Sequence, residues 1–352
     1  MVRNVTGVVL AAVVALGGLA GCSEDRAETG SSAASSSTTT PAATLDCAAD
    51  LVACARESSI GDVVPDAPST ATGEPIRLGM INQENTPLGS YPELSSATRA
   101  AIEFVNTELG GVNGRPIELE VCNTEFSPEG STACAQQFVQ DGVPAVLGGI
   151  DVFGTGIDTL AENEIPYVGG IPVSAQAVEN ANSFQWSGGT WGATVAFAHH
   201  AATEVKADSV AIVYPEFGPI SDSADYGRIT LENAGVTDVV MVPYPITATD
   251  LSSPIQAANS ASPDAVIMLA ADTGCKGAFD GFATVGVEAQ VYLVGACASP
   301  KIIDEAGPDK TEGTIFNVEG SLARGVANID FSLYQAVAAE YGDGFDPIGA
   351  GT

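Results

Sequence analysis

The chain alternates between short apolar runs and longer amphipathic stretches along most of its length. Apolar runs with strand-like spacing predict strands at 76–81, 117–121, 145–148 and 166–168. The stretches between them have helical spacing and predict helices at 94–109, 127–139 and 155–162. Alternation of this kind indicates a parallel β-sheet with helices on both faces, which is an α/β fold.

Local residue choices mark several of the predicted boundaries. Gly110 and Gly111 suit the left-handed end of a helix, and Asn113-Gly114 suits a tight turn before the next strand. Ser127, Pro128 and Glu129 provide a cap, a first-turn proline and an acid for the following helix. The chain therefore has the turn chemistry that a β-α-β step requires.

A second series of the same kind follows in the sequence. It predicts helices at 190–205, 221–234, 251–259 and 276–285, and strands at 210–214, 239–242, 265–269 and 291–294. The chain continues from residue 76 to residue 352, and this length favours two lobes over one, because single hydrophobic cores stop growing at about 250 to 300 residues.

The block that runs from strand 76–81 through Gly110-Gly111 and Asn113-Gly114 resembles the opening of the type I periplasmic solute-binding proteins. The resemblance is to the branched-chain amino acid and amide branch of that family. It implies two doubly wound parallel-sheet lobes around a cleft, in a Venus-flytrap arrangement. It also places lobe 1 at 76–187, lobe 2 at 188–318, and a return to lobe 1 at 319–352. A predicted helix at 329–340 would rejoin lobe 1. Members of this branch continue well beyond such a helix, so the chain resembles a truncated member.

The start of the chain predicts export. Arg3 precedes an apolar run, and Leu19-Ala20-Gly21-Cys22 has the small residues that lipoprotein processing requires. We expect a signal peptide at 1–21, a lipid on Cys22, and a Ser/Thr-rich tether at 22–44. The alternatives are an ordinary signal peptide with a chance cysteine, or a retained membrane anchor. Residues 45–75 are interpreted as a disulfide-stapled segment and a connector.

Charge and cysteine content limit the partners. With 44 acidic and 12 basic side chains, the net charge of −32 excludes nucleic acid as a partner. Cys22 is one of seven cysteines, and export favours disulfides for the other six. Several pairings are possible, and the pairs that are local in sequence are Cys47 with Cys54, Cys122 with Cys134, and Cys275 with Cys297. We expect neither a metal nor a cofactor, since no pair has zinc-site spacing and the only histidines, His199 and His200, are adjacent.

Candidate ligand-binding residues lie in the loops that follow the predicted strands, where parallel sheets bind ligands. The resemblance implies that Ser90 or Tyr91 covers the ligand, that Phe217 stands where the family often has tyrosine, and that Asp272 contacts the ligand from lobe 2. The same strand-end loops add the remaining candidates, which are Asp151, Phe153, Gly170 and Ser174. Tyr91 and Phe217 could instead pack the lobes together, and Asp151 could instead cap a helix.

Two departures from the family concern its ligand. Amino-acid binders usually offer a hydroxyl residue where this chain has Asp151-Val152-Phe153, and an acid where it has 295–298. We therefore hypothesise that the ligand is not a standard zwitterionic amino acid. In that hypothesis, Asp151 and Asp272 bind ammonium, amide or hydroxyl donors.

The predicted function is ligand binding without chemistry. No G-x-S-x-G, Walker A or G-x-G-x-x-G motif stands where an enzyme would need it. The resemblance implies an extracytoplasmic, monomeric lipoprotein that delivers a small polar ligand, such as an amino acid, amide or related amine, to the membrane subunits of an ABC importer. The alternatives are a ligand-sensing lipoprotein of a signalling receptor and an exported α/β enzyme.

Overall fold

The computed structural model describes residues 45–318 and 328–346, and within them the chain forms two five-stranded parallel sheets. The elements of the first half, in chain order, are α1 (Leu51–Arg56), β1 (Ile76–Asn82), α2 (Pro92–Thr107), β2 (Ile117–Asn123), α3 (Pro128–Asp141), β3 (Val146–Gly148), α4 (Thr155–Glu162), β4 (Tyr167–Val168), α5 (Ala175–Glu179) and β5 (Ser183–Phe184). Those of the second half are α6 (Gly189–His200), β6 (Ser209–Pro215), α7 (Gly218–Asn233), β7 (Asp238–Tyr244), α8 (Ser252–Asn259), β8 (Ala265–Met268), α9 (Asp272–Val285), β9 (Gln290–Leu293), α10 (Pro300–Ala306), α11 (Pro308–Thr311), β10 (Ile315–Phe316) and α12 (Ile329–Tyr341).

The two sheets have the same strand order. The first is β2-β1-β3-β4-β5, and the second, read from its other edge, is β7-β6-β8-β9-β10. In each sheet the chain moves one way from the first strand and then reverses, so a switch point lies between β1 and β3 and another between β6 and β8. The predicted doubly wound α/β architecture is confirmed.

Apolar runs in the central strands are buried on both faces, as helix-covered parallel strands are. In β6, Val210 and Ile212 pack into the core under one layer of helices, while Ala211 and Val213 pack into the core on the opposite face. Burial of both faces explains why this strand is a continuous apolar run rather than an alternating one.

The predicted turn chemistry is confirmed at the residues that carry it. Ser127 accepts a hydrogen bond from Gly130 N, and Pro128 begins α3. Gly111 has a φ of 68°, and a side chain there would meet the Arg115 carbonyl at 2.2 Å. Asn113 and Gly114 also have positive φ, so the turn before β2 uses residues that tolerate that conformation.

Several elements differ from the sequence prediction. Lobe 1 ends with β5, a fifth strand that pairs with β4 and that the sequence did not predict. The predicted helix 190–205 is α6 followed by a π-helical turn at Ala201–Val205. Short helices α5, α10 and α11 were not predicted, because four to seven residues provide too little periodicity to recognise.

The three local disulfides are present. Cys47 pairs with Cys54, Cys122 with Cys134, and Cys275 with Cys297. The first holds α1, whose buried Cys54 and Ala55 pack against Phe104 of α2 and against Leu333 of α12. The third joins α9 to the turn that follows β9.

Residues 1–44, 319–327 and 347–352 lie outside the described residues, and so do the predicted signal peptide, Cys22, the tether and part of the predicted return to lobe 1. Among residues 45–318 and 328–346, no helix combines the length and the apolar character that crossing a bilayer requires.

Candidate ligand-binding cleft

A cleft of about 1050 Å³ lies where the switch points of the two sheets face each other. Its first wall comes from the loops that follow β1, β3 and β4, and its second from the loops that follow β6, β8 and β9. Open parallel sheets bind ligands beyond the carboxyl ends of their strands at such a switch point. The topology therefore places both ligand-binding edges around one space.

Asn82, the last residue of β1, organises the first wall. Its fully buried side chain donates from Nδ2 to the Tyr91 carbonyl at 2.7 Å and to Ser95 Oγ at 3.1 Å. Its Oδ1 accepts from Ile150 N at 3.0 Å. Gly149 makes room for this amide, because a side chain there would meet Asn82 Oδ1 at 2.3 Å. One side chain thus ties together the loops on both sides of the switch point.

Gln83 follows Asn82 and lines the cleft. The side chain is 1 % exposed, and its Nε2 donates to the Gly89 carbonyl at 2.9 Å. Its Oε1 is buried and has no hydrogen-bond partner. A buried acceptor without a donor is costly, so this atom needs explanation.

Aromatic side chains join the two lobes at one end of the cleft. Phe217 of lobe 2 stacks on Phe126 of lobe 1 with a 5.3 Å centroid separation, and meets Phe153 edge-on at 5.3 Å. Phe126 has a φ of 53°, an unfavourable region for a side chain of this size. Packing in this aromatic cluster compensates for that conformation.

Hydrogen bonds also cross between the lobes. Trp191 of α6 donates from Nε1 to the Val173 carbonyl at 2.7 Å, and Thr190 N donates to the Pro172 carbonyl at 3.1 Å. Tyr226 of α7 donates to Glu179 at 3.1 Å, and this bond to the carboxylate raises the pKa of Tyr226. The lobes are therefore held in contact by both apolar and polar groups.

A sequence model of the periplasmic binding proteins matches residues 75–343, which is most of the chain. The chain belongs to the periplasmic binding protein family. The match spans both lobes and includes α12.

Solved structures share the fold of this periplasmic binding protein. A solute-binding protein of an ABC transporter from R. palustris, in complex with 4-hydroxybenzoate, has a TM-score of 0.61 and 18 % identity; the similarity covers 78 % of this chain and 75 % of that chain. A branched-chain amino acid transporter substrate-binding protein from Streptococcus pneumoniae, in complex with isoleucine, has a TM-score of 0.61 and 14 % identity, and covers 76 % of this chain and 78 % of that chain. At these identities the likeness shows the type I, two-lobed fold.

A curated relative matches over part of its length. The Leu/Ile/Val-binding protein homolog 3 of Brucella melitensis is 24 % identical over 174 residues, which cover 47 % of this chain and 46 % of the relative. The chain thus matches about half the length of this curated relative.

The structure brings three of the sequence-predicted site residues of this periplasmic binding protein to the cleft, namely Tyr91, Gly170 and Phe217. Phe153 joins the aromatic cluster instead of lining the space. Ser90 Oγ accepts from Asn85 N within its own loop, and Ser174 Oγ caps α5. Asp272 begins α9, and its side chain lies outside the described part of the chain.

Asp151 lies behind the wall of the cleft and does not line it. The side chain is 3 % exposed, and its carboxylate accepts from Ser131 Oγ at 2.5 Å and from Gly154 N at 3.1 Å. Burial raises the pKa of Asp151, although these hydrogen bonds oppose the change. Its polar partners thus draw the carboxylate toward α3 and α4, away from the cleft.

Asn82 and Gln83 were not among the predicted site residues, although they begin a loop that the sequence placed at the cleft. A polar pair that directly follows a buried strand of a parallel sheet was the available signal. Its specificity was low, because many strands end in polar residues whose side chains face solvent.

We predict that Asn82→Leu lowers the free energy of unfolding by about 3 kcal/mol, because Ile150 N and the Tyr91 carbonyl lose their buried partner. Urea denaturation measures this loss, and ligand affinity is expected to fall with it. Asn106→Leu is the matched control, since Asn106 makes equivalent bonds to Ile117 N and O away from the cleft. Equal affinity losses in both variants would contradict a specific role for Asn82.

We predict that Asp151→Asn raises the free energy of unfolding at neutral pH, whereas Asp151→Ala lowers it by about 2 kcal/mol by leaving Ser131 and Gly154 without a partner. The folded-state pKa of Asp151 is raised above its ordinary value of 3.8. The folded wild type therefore bears a cost of ionisation above that folded pKa, and loses it as the pH falls toward 3.8. The advantage of Asp151→Asn should shrink on acidification in urea denaturation at several pH values; a constant difference would refute this reasoning.

Proposed function

We propose that this protein is an extracytoplasmic solute-binding lipoprotein that captures a small molecule between its lobes and delivers it to an ABC importer. The cleft carries this proposal, because both of its walls come from switch-point loops and both lobes contribute lining residues. Lobe 1 provides Tyr91, Phe126 and Ile171, and lobe 2 provides Phe217 and Leu269.

Closure of the lobes would couple capture to delivery. Phe217 of lobe 2 contacts Phe126 of lobe 1, and Trp191 bonds to Val173 across the same boundary. A ligand that touches both walls adds to these contacts and shifts the population toward the closed form. The closed form is then the state that a membrane partner recognises.

The relatives support a transport role. The R. palustris and S. pneumoniae proteins are transporter components in complex with 4-hydroxybenzoate and isoleucine, respectively. We extend the role of transporter component to this chain, and we treat the identity of its ligand separately.

Ligand capture is tested by tryptophan emission. The chain has two tryptophans, of which Trp186 lines the cleft and is 75 % exposed, while Trp191 is 7 % exposed. We predict that a ligand shifts the emission of the mature protein to shorter wavelength by removing water from Trp186. At a hundred times its dissociation constant it should also stabilise the fold by about 2.7 kcal/mol.

The panel for this titration contains amino acids, amides, amines, aromatic acids and alcohols. Trp186→Phe should remove the spectral shift and keep the thermal stabilisation, which would place the ligand at the cleft. A panel in which no compound changes either signal would refute ligand capture.

Membrane anchoring is tested at Cys22. We predict that Cys22→Ser moves the protein from the membrane fraction to the soluble fraction of the cell exterior, because the acyl chains have no attachment atom. Immunoblots of the two fractions measure the change. Ser23→Ala is the control, because it alters the next residue and leaves the cysteine in place. Membrane retention of Cys22→Ser would show that another segment anchors the chain.

A further inference from the structure

In the loops that follow β3 and β4, valine side chains line the cleft and their polar neighbours do not. Val152 and Val173 line the cleft. Their polar neighbours Asp151 and Ser174 are buried and form hydrogen bonds within lobe 1. Valine methyl groups therefore form this part of the wall. The neighbouring carboxylate and hydroxyl groups do not line the cleft.

Few of the residues that line the cleft carry a formal charge. Among the described lining residues the charged ones are Glu93, Lys301, Asp343 and Asp346. None of them is buried, and three of the four are acidic. A carboxylate held against the apolar wall would lose its hydration without meeting a buried cation, and it would approach a chain of net charge −32. A buried ammonium would likewise meet no buried carboxylate in this wall.

Gln83 supplies one specific polar requirement. The Gly89 carbonyl can only accept a hydrogen bond, so the amide NH₂ of Gln83 must face it at 2.9 Å. With Nε2 facing the Gly89 carbonyl, Oε1 lies on the other side of the amide. Oε1 is buried and has no donor, and Gln83 is a residue that lines the cleft. A bound molecule with a hydroxyl or amide N–H can satisfy this acceptor.

We propose that the cleft binds a neutral, largely apolar molecule that places one hydroxyl or amide N–H donor on Gln83 Oε1. This inference rests on the proposed function and names the ligand class of the same site. It moves the polar contact from Asp151, which the sequence hypothesis used, to Gln83, because the carboxylate of Asp151 is bonded to Ser131 within lobe 1. Tyr91, Phe126, Phe217 and Trp186 add aromatic surface on which an apolar body can pack.

The test compares probes that share one ring and differ in charge. Benzyl alcohol, benzoate, benzylamine and phenylalanine are titrated into the mature protein, with binding followed by ligand-observed NMR and by Trp186 emission. We expect benzyl alcohol to bind at least about tenfold more tightly than each charged probe, because the charged probes lose hydration that the wall does not replace.

Gln83→Met separates the hydrogen bond from the apolar contacts. It should weaken benzyl alcohol about five- to tenfold, which is the range of one hydrogen bond, and leave benzyl methyl ether unchanged because that probe has no donor. Thr124→Val is the matched control: Thr124 Oγ1 is also buried without a partner, but Thr124 does not line the cleft. A purely structural effect of Gln83→Met would weaken both probes alike.

Each result has a defined meaning. Tighter binding of benzyl alcohol, with selective loss in Gln83→Met, supports the inference. Binding of phenylalanine or benzoate as tightly as benzyl alcohol overturns it and leaves ligand capture intact, as does cleft binding of leucine when no benzyl probe binds. Equal weakening of benzyl alcohol and its methyl ether overturns the role of Gln83. Failure of every probe and of the wider panel overturns both this inference and the proposed function.

Discussion

The arrangement of the cleft depends on how one buried amide is satisfied at the end of the central strand of lobe 1. β1 lies next to β3 at the switch point, so its last residue lies between the loop that follows β1 and the loop that follows β3. The Asn82 side chain bonds to both of them, at the Tyr91 carbonyl and at Ile150 N. A buried amide in a low-dielectric environment must find all its partners, and this requirement orders the loops before any ligand arrives. Gln83 is thereby held next to the cleft with its amide already oriented.

The lining of the cleft carries few charges, whereas the chain as a whole is strongly acidic. Most of the 44 carboxylates have no cation available, since the chain has 12 basic side chains. Among the described side chains Asp151 is the buried carboxylate, and the others keep contact with water, which stabilises them. Where a cation is available it holds elements together: Lys276 and Lys310 both contact Asp280, and these hydrogen bonds lower the pKa of that carboxyl group. Mutual repulsion of the remaining charges works against a compact state. The three disulfides oppose it by restricting the unfolded chain.

The contact between the lobes combines groups with different consequences for opening. The aromatic cluster of Phe126, Phe153 and Phe217 would expose apolar surface if the lobes separated. The bond from Trp191 to the Val173 carbonyl is buried and lies beside the crossing between the lobes. The crossing side is thus held by directional bonds, whereas the cleft side is held by ring packing that can reform in more than one arrangement.

Much of the fold followed from the sequence because its causes are local. Helical spacing, the Ser127-Pro128 start of α3 and the positive-φ residues before β2 act over a few residues, and the structure confirms them. β5 has only a weak local signal in the sequence, and it is recognisable as a strand only because it pairs with β4.

The site divides in the same way. The sequence by itself determined the α/β class and the loops that border the cleft, because periodicity and strand-end position suffice for these. It left several cysteine pairings open, and the fold decided that the pairs local in sequence form. The tertiary structure decided which side chains of those loops face the ligand space. It turned Asp151 toward Ser131 and placed Val152 and Gln83 at the wall, since the direction of a loop side chain depends on partners that are distant in sequence.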